Sequence, residues 1–136
     1  MMTASAPPRS GMPGHLGIRI AAADKDKVLG ELDADERHLN AIGIVHGGTL
    51  MAFADELGGF LASLHLPPDK TTSTIESKTN FFRACHPGRL TAETVPLHSG
   101  RSTIVVQTTI FGNDGKRAAL VTQTQLVLDR KSPVRR

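Results

Sequence analysis

The chain has 136 residues, 39% hydrophobic and 21% charged, which suits one globular domain with a real core and leaves too little for two. All five aromatics are Phe, so the Trp and Tyr platforms on which nucleic-acid readers stack bases are missing, and a single cysteine, Cys85, excludes an internal disulfide. The net charge of +3 is local: Arg130, Lys131, Arg135 and Arg136 supply four of the 16 basic residues, and without them 12 positive charges face 13 negative ones, which argues against a nucleic-acid groove.

The opening segment, MMTASAPPRSGMPG, holds three Pro and two Gly and lacks the apolar run of roughly seven residues that a secretory signal needs. Residues 1–14 therefore read as a flexible lead-in, 15–129 as the folded domain and 130–136 as a basic tail. No stretch approaches the ~18 apolar residues of a membrane-spanning helix. A lone cysteine makes a reducing, cytoplasmic setting the expectation.

From Leu16 to Asp24, Leu16, Ile18 and Ile20 alternate with polar or small residues, as in a half-buried strand. Lys27 to Asp33 repeats the pattern with Val28, Gly30 and Leu32, and Asp24-Lys25-Asp26 between them reads as a hairpin turn. From Gly48 to Leu66 the period changes. Leu50, Met51, Phe53, Ala54, Leu57, Phe60, Leu61 and Leu64 cover most of a helix circumference, which predicts a helix buried on nearly all sides and stopped by Pro67-Pro68. Four runs rich in Thr, Val and Ile follow: 71–82, 89–97, 102–111 and 117–128. Pro87-Gly88, Ser99-Gly100 and Asn113-Asp114-Gly115 punctuate them, the last a strong hairpin signal. One apolar helix and about six strands joined by short turns imply an α+β fold, an antiparallel sheet curled round the helix.

The chemistry-bearing stretch is Asn40-Ala-Ile-Gly-Ile-Val-His46-Gly47-Gly48-Thr-Leu-Met-Ala-Phe-Ala-Asp55-Glu56. Two glycines before an apolar helix let a ligand approach the backbone closely, and the first-turn N–H groups carry the positive end of the helix dipole. Such a site suits an oxyanion, or a carbonyl that becomes one. Asp55 is the one acid on a stripe formed by Gly48, Ala52, Asp55, Gly59 and Ala62, and a carboxylate inside an apolar helix is costly unless bonded or working. Glu56 points about 100° away and reads as a solvent or salt-bridge residue. Gly47 and Asp55 stand eight residues apart, roughly 12 Å along a helix. That is too far to grip one carbonyl, whereas two antiparallel copies of the helix would bring the Gly47 end of one to Asp55 of the other.

Asn-x-x-Gly-x-x-His-Gly-Gly, with an Asp nine residues after the His, resembles the PaaI-type hotdog-fold acyl-CoA thioesterases. The likeness runs over about residues 14–128. It includes Thr74-Ile-Glu-Ser-Lys-Thr-Asn-Phe81-Phe-Arg-Ala, the His98-Ser-Gly100-Arg101 turn and the Asn113-Asp-Gly115-Lys hairpin. The resemblance implies a single hotdog domain that hydrolyses acyl-CoA. In it Asp55 is the catalytic carboxylate, as nucleophile or general base, and the Gly47 N–H polarises the thioester carbonyl across a dimer interface. Asn40 and His46 line the site beside Gly48, and Thr74 lies near the hydrolytic water. Gly59 stands where some relatives carry Thr or Ser. No metal and no cofactor is implied beyond the coenzyme A of the substrate. The partners implied are acyl-CoA and further copies of the chain, with a homodimer as the minimal unit and a homotetramer as the usual assembly, and neither nucleic acid nor membrane. Cationic candidates for the coenzyme phosphates are Arg83, Arg89, Arg101, Lys116, Arg117 and the tail. Two other readings share the fold: an enoyl or hydroxyacyl thioester hydratase-dehydratase using a His with an acid, and a non-catalytic acyl-CoA sensor, which has no need of Asp55.

Overall fold

The computed structural model describes residues 10–130; the lead-in before Ser10 and the tail after Arg130 lie outside the described residues. In chain order the elements are α1 (Gly11–Leu16), β1 (Arg19–Ala23), β2 (Val28–Ala34), a 3-10 turn (Glu36–His38), α2 (Gly47–Ser63), β3 (Lys70–Phe81), β4 (Gly88–Ser99), β5 (Thr103–Phe111) and β6 (Arg117–Asp129). The six strands form one antiparallel sheet in the order β1-β2-β4-β5-β6-β3.

Alternation along the strands decides which residues face α2. On β5 these are Ile104, Val106, Thr108 and Ile110, and on β4 Leu90, Ala92 and Thr94, all buried. The two threonines share a 2.7 Å hydrogen bond, which satisfies both hydroxyls inside the core. From the helix, Leu50, Phe53, Ala54, Leu57 and Leu61 reply. Fully burying each of the larger ones contributes about 1.5–3 kcal/mol. Gly30 on β2 admits this contact, since a Cβ there would lie 2.6 and 2.7 Å from the Leu57 methyl carbons.

Three expectations need correction. Leu16 belongs to α1, not to the first strand, and α1 starts inside the expected lead-in. Gly17, at φ 75°, closes α1: its N–H goes to the Gly14 carbonyl at 3.1 Å and the next one, of Ile18, to the Pro13 carbonyl at 3.0 Å. Next, α2 is buried on one face only: Met51 and Asp55 are exposed, and Ala52, Glu56, Gly59 and Phe60 are half-buried. Of the small-residue stripe, Ala62 turns inward to the core while Gly48, Ala52, Asp55 and Gly59 stay on the open side. Last, α2 ends at Ser63, and Leu64, His65 and Leu66 tighten into a turn bonded to Leu61, Ala62 and Ser63 before Pro67 is reached.

Two irregularities aim the site. Buried His38 takes the Asp35 N–H on Nδ1 and bonds the Leu16 carbonyl through Nε2, while its own carbonyl receives the His46 N–H and the Thr49 hydroxyl. It therefore ties the end of α1 to the start of α2. On β3, Thr74 pairs with Gln125 but Glu76 pairs with Thr124, so Ile75 is the extra residue of a bulge. Before the bulge Thr72 and Thr74 turn to the open side of α2; after it the parity flips, and Phe81 reaches the α2 N-terminus.

Candidate active site

The loop entering α2 is built from its own side chains. Asn40 Oδ1 accepts the Ile42 and Ile44 N–H groups at 3.0 and 3.2 Å, which curls residues 40–44 into a turn. The Val45 N–H is held by the Cys85 carbonyl at 2.8 Å. His46 is the N-cap: its Nδ1 accepts the Gly48 N–H at 2.8 Å and its carbonyl takes the Thr49 N–H. An accepting Nδ1 puts the proton of the neutral ring on Nε2. The expectation of several free first-turn amides is thereby narrowed. Gly48 has spent its N–H on His46, and among the described residues the Gly47 N–H finds no acceptor. Both glycines sit close to side chains: a Cβ at 47 would lie 3.2 Å from the Phe81 ring and one at 48 only 2.9 Å from His46 Nδ1, so a larger residue would displace one or the other. Within the chain, then, Gly47 approaches an aromatic ring. The depression beside it, of about 360 Å³, is lined by Asn40, Leu50, Phe81, Phe82, Arg83 and Cys85 among others.

Asp55 lies two turns further along, in a second depression of about 360 Å³ between α2 and β3. Thr74, Gln125, Glu56 and Gly59 line it too. Asp55 is exposed, so no burial penalty attaches to its carboxylate in the single chain. Its Oδ1 accepts Gln123 Nε2 at 3.0 Å and, at 3.5 Å, the Thr74 hydroxyl. That hydroxyl accepts in turn from Gln125 Nε2 at 2.8 Å. Oδ2 takes no hydrogen bond from the described residues. A Cβ at Gly59 would meet nothing within 4 Å, so the space where a hydroxyl side chain is expected in relatives is open here.

Asn40, His46, Gly47 and Gly48 are thus brought together at the helix N-terminus, and Asp55 with Thr74 one groove away. No residue lines both depressions. Sequence reasoning missed Gln123 and Gln125, which are 0% and 1% exposed. Their signal was two amides at i and i+2 on the inward parity of an otherwise Thr- and Val-rich strand. Of the cationic candidates, Arg83 lines the Gly47 depression with Asp114 at 3.7 Å, and Arg117 stacks 5.0 Å over the Phe82 ring, whereas Arg89 is held by Asp33 at 2.9 Å and Glu31 at 3.6 Å. Among the described residues no group of three His, Cys, Asp or Glu side chains is arranged for a metal ion, and no helix is long and apolar enough to cross a membrane.

The arrangement offers a carboxylate with one anchored and one open oxygen, and an unspent main-chain donor at a helix N-terminus. Comparison with known proteins places the chain among thioesterases. Residues 42–119 match the family model described as the thioesterase superfamily. A solved thioesterase from Haemophilus influenzae superposes with a TM-score of 0.82 at 30% identity, over 86% of this chain and 82% of that one. A phenylacetic acid degradation-related protein from Ralstonia eutropha gives 0.81 at 28% identity, over 88% and 92%. The 1,4-dihydroxy-2-naphthoyl-CoA hydrolase of Escherichia coli K12 is 28% identical over 105 residues, 77% of each chain.

Proposed function

The chain belongs to the thioesterase superfamily, and from that membership and the geometry at Asp55 and Gly47 we propose that it hydrolyses an acyl-CoA thioester at a site shared by two protomers. The observation that carries the reading is the division of labour along α2. The free amide at Gly47 and the open carboxylate at Asp55 occupy separate depressions, roughly 12 Å apart along the helix. Two further features support a second copy. The outer edge of β3 pairs with no strand among the described residues, and the Asp55 face of α2 is open. Two chains joined at that edge run their helices antiparallel, so each Gly47 serves the partner's Asp55. Pairs of such dimers give the tetramer usual in the family.

In this reading the thioester oxygen accepts the Gly47 N–H, which gains strength as the oxygen becomes an oxyanion; losing one such donor costs about 3–4 kcal/mol of barrier. Asp55 Oδ2 takes the proton of a water as its oxygen attacks the carbonyl carbon. The alternative is direct attack by Oδ2, giving a mixed anhydride that water then opens. In both routes the C–S bond breaks, the coenzyme thiolate leaves and picks up a proton, and the free acid remains. Thr74 helps hold the water. His46 and Asn40 shape the loop that presents Gly47, and Gly48 provides the turn. With its Nδ1 accepting the helix-cap bond, His46 is better placed to orient the loop than to shuttle protons, which favours hydrolysis over a hydratase-dehydratase. Arg83 and Arg117 are the cations best set for the coenzyme phosphates. Phe81 and Phe82 beside Gly47, together with relatives named for naphthoyl-CoA and phenylacetic acid, favour an aromatic acyl group.

The test is thiol release from a panel of CoA esters, with benzoyl-CoA, phenylacetyl-CoA and hexanoyl-CoA as probes. Asp55→Asn is expected to lower kcat by about a hundred- to ten-thousandfold while leaving ester binding near wild type; wild-type turnover in that variant removes the carboxylate from the mechanism. Mixing inactive Asp55→Asn and Gly47→Val chains is expected to restore partial activity. No recovery after proven subunit exchange puts the site within one chain.

A further inference from the structure

Gln123 is one of two buried glutamines on β6 whose placement packing alone does not explain. It is 0% exposed, on the face of β6 that meets α2. Its Nε2 donates to Asp55 Oδ1 at 3.0 Å, while its Oε1 has no partner among the described residues. The oxygen rests against the backbone of Gly58, where an added Cβ would be 1.6 Å away. A purely space-filling role is met better by Met or Leu, which leave no buried carbonyl unpaired. The opposite amide orientation would set Oε1 against the carboxylate, so Asp55 is the group that fixes how this side chain lies. Gly58, in mid-helix, makes the room.

A second arm repeats the device. Gln125, 1% exposed and two residues further along β6, donates from Nε2 to the Thr74 hydroxyl at 2.8 Å, which turns the hydroxyl proton toward Asp55 Oδ1. Two buried amides on one strand face thus converge on a single carboxylate oxygen. Oδ2 receives nothing from the described residues.

We propose that Gln123 is a positioning residue for Asp55: with Gln125 acting through Thr74, it anchors Oδ1 and so selects Oδ2 as the oxygen that meets water or the thioester. This rests on the reading of Asp55 as the reacting carboxylate. Without the anchor the carboxylate turns about its Cβ–Cγ bond and spends much of its time misdirected, which lowers the rate of the chemical step and leaves ester binding alone.

The experiment compares Gln123→Met, which keeps the volume and removes the donor, with Asp55→Asn and wild type, using benzoyl-CoA and hexanoyl-CoA thiol release. Urea unfolding is measured in parallel. For Gln123→Met we expect kcat to fall roughly ten- to a hundredfold, the loss of one hydrogen bond to a charged group. KM stays within about threefold and the unfolding midpoint is at or above wild type. Structural damage would lower the midpoint instead. Should Gln123→Met not fold, Thr74→Val at the exposed end of the second arm is expected to lower kcat several-fold at constant KM. A kcat within twofold of wild type for the donor-lacking variant, while Asp55→Asn is dead, overturns the positioning role and leaves the hydrolase reading standing. Full turnover in Asp55→Asn overturns both.

Discussion

Adjacent glycines in mid-α2 should respond to the same substitution with opposite signs. Alanine at either position gains about 1 kcal/mol of intrinsic helix propensity over glycine. At Gly58 the new methyl would lie 1.6 Å from Gln123 Oε1, 2.8 Å from its Cδ and 3.1 Å from a Val106 methyl. The amide is fully buried and has Asp55 on its other side, so it must leave its place. Overpacking costs about 1–3 kcal/mol, and leaving the displaced, still buried Gln123 N–H unpaired costs about 1–3 more. Set against the propensity gain of about 1, the net loss for Gly58→Ala is about 1–5 kcal/mol. At Gly59 the methyl meets nothing within 4 Å, so Gly59→Ala should gain about 1 kcal/mol. Urea denaturation followed by circular dichroism, at one protein concentration, reads both. With a slope of about 2 kcal/mol per molar urea, the Gly58→Ala midpoint should fall by roughly 0.5–2.5 M and that of Gly59→Ala should rise. A Gly58→Ala midpoint at or above wild type refutes the close contact and the anchoring of Asp55 with it. A fall for Gly59→Ala puts a second protomer against that face.

Removing the helix cap with His46→Ala should cost about 1 kcal/mol, most of it restored by His46→Asn, with urea midpoints as the measure. A His46→Asn variant no more stable than His46→Ala would show that the ring does something other than capping. The hydrogen bond from Arg89 to Asp33, with Arg19 alongside, holds that carboxyl below the usual carboxylate range. Its contribution is therefore present above the unfolded value of about 4 and is lost as pH falls from there through the folded value. Asp33→Asn should flatten the acid arm of the stability curve, and an unchanged arm rejects the pair as a source. Burial pushes the Cys85 thiol up, so native Cys85 should react with iodoacetamide at least roughly tenfold more slowly than in urea; equal rates place it at the surface.

Strand positions were legible because burial alternates so regularly: β5 reads inward and outward without a break from Thr103 to Phe111. The hairpin at Asn113-Asp114-Gly115 was legible for the same local reason, since its residues are chosen by turn geometry alone. Asp55 and the glycine pair stood out against an apolar helix. What could not be read was the facing of that helix. Met51 and Phe60 are apolar, and composition cannot tell a side chain bound for this chain's core from one on its open face. The 3-10 turn with His38 was missed because its signal is a capping pair at the two ends of four residues, with no periodicity. Gln123 and Gln125 were hidden because a buried amide looks like any polar strand residue until its partner, 68 positions away for Gln123, is brought beside it.

The single extra residue in β3 has a consequence for how this protein tolerates change. Thr74 and Phe81 have opposite parity in the chain, and yet one must turn toward Asp55 and the other toward Gly47. The bulge at Ile75 reconciles them. Many side chains at 75 would serve, since this one is exposed, but shortening the strand there by one residue would send one of the two outward. Between these positions it is the spacing, more than the lettering, that inheritance has to keep.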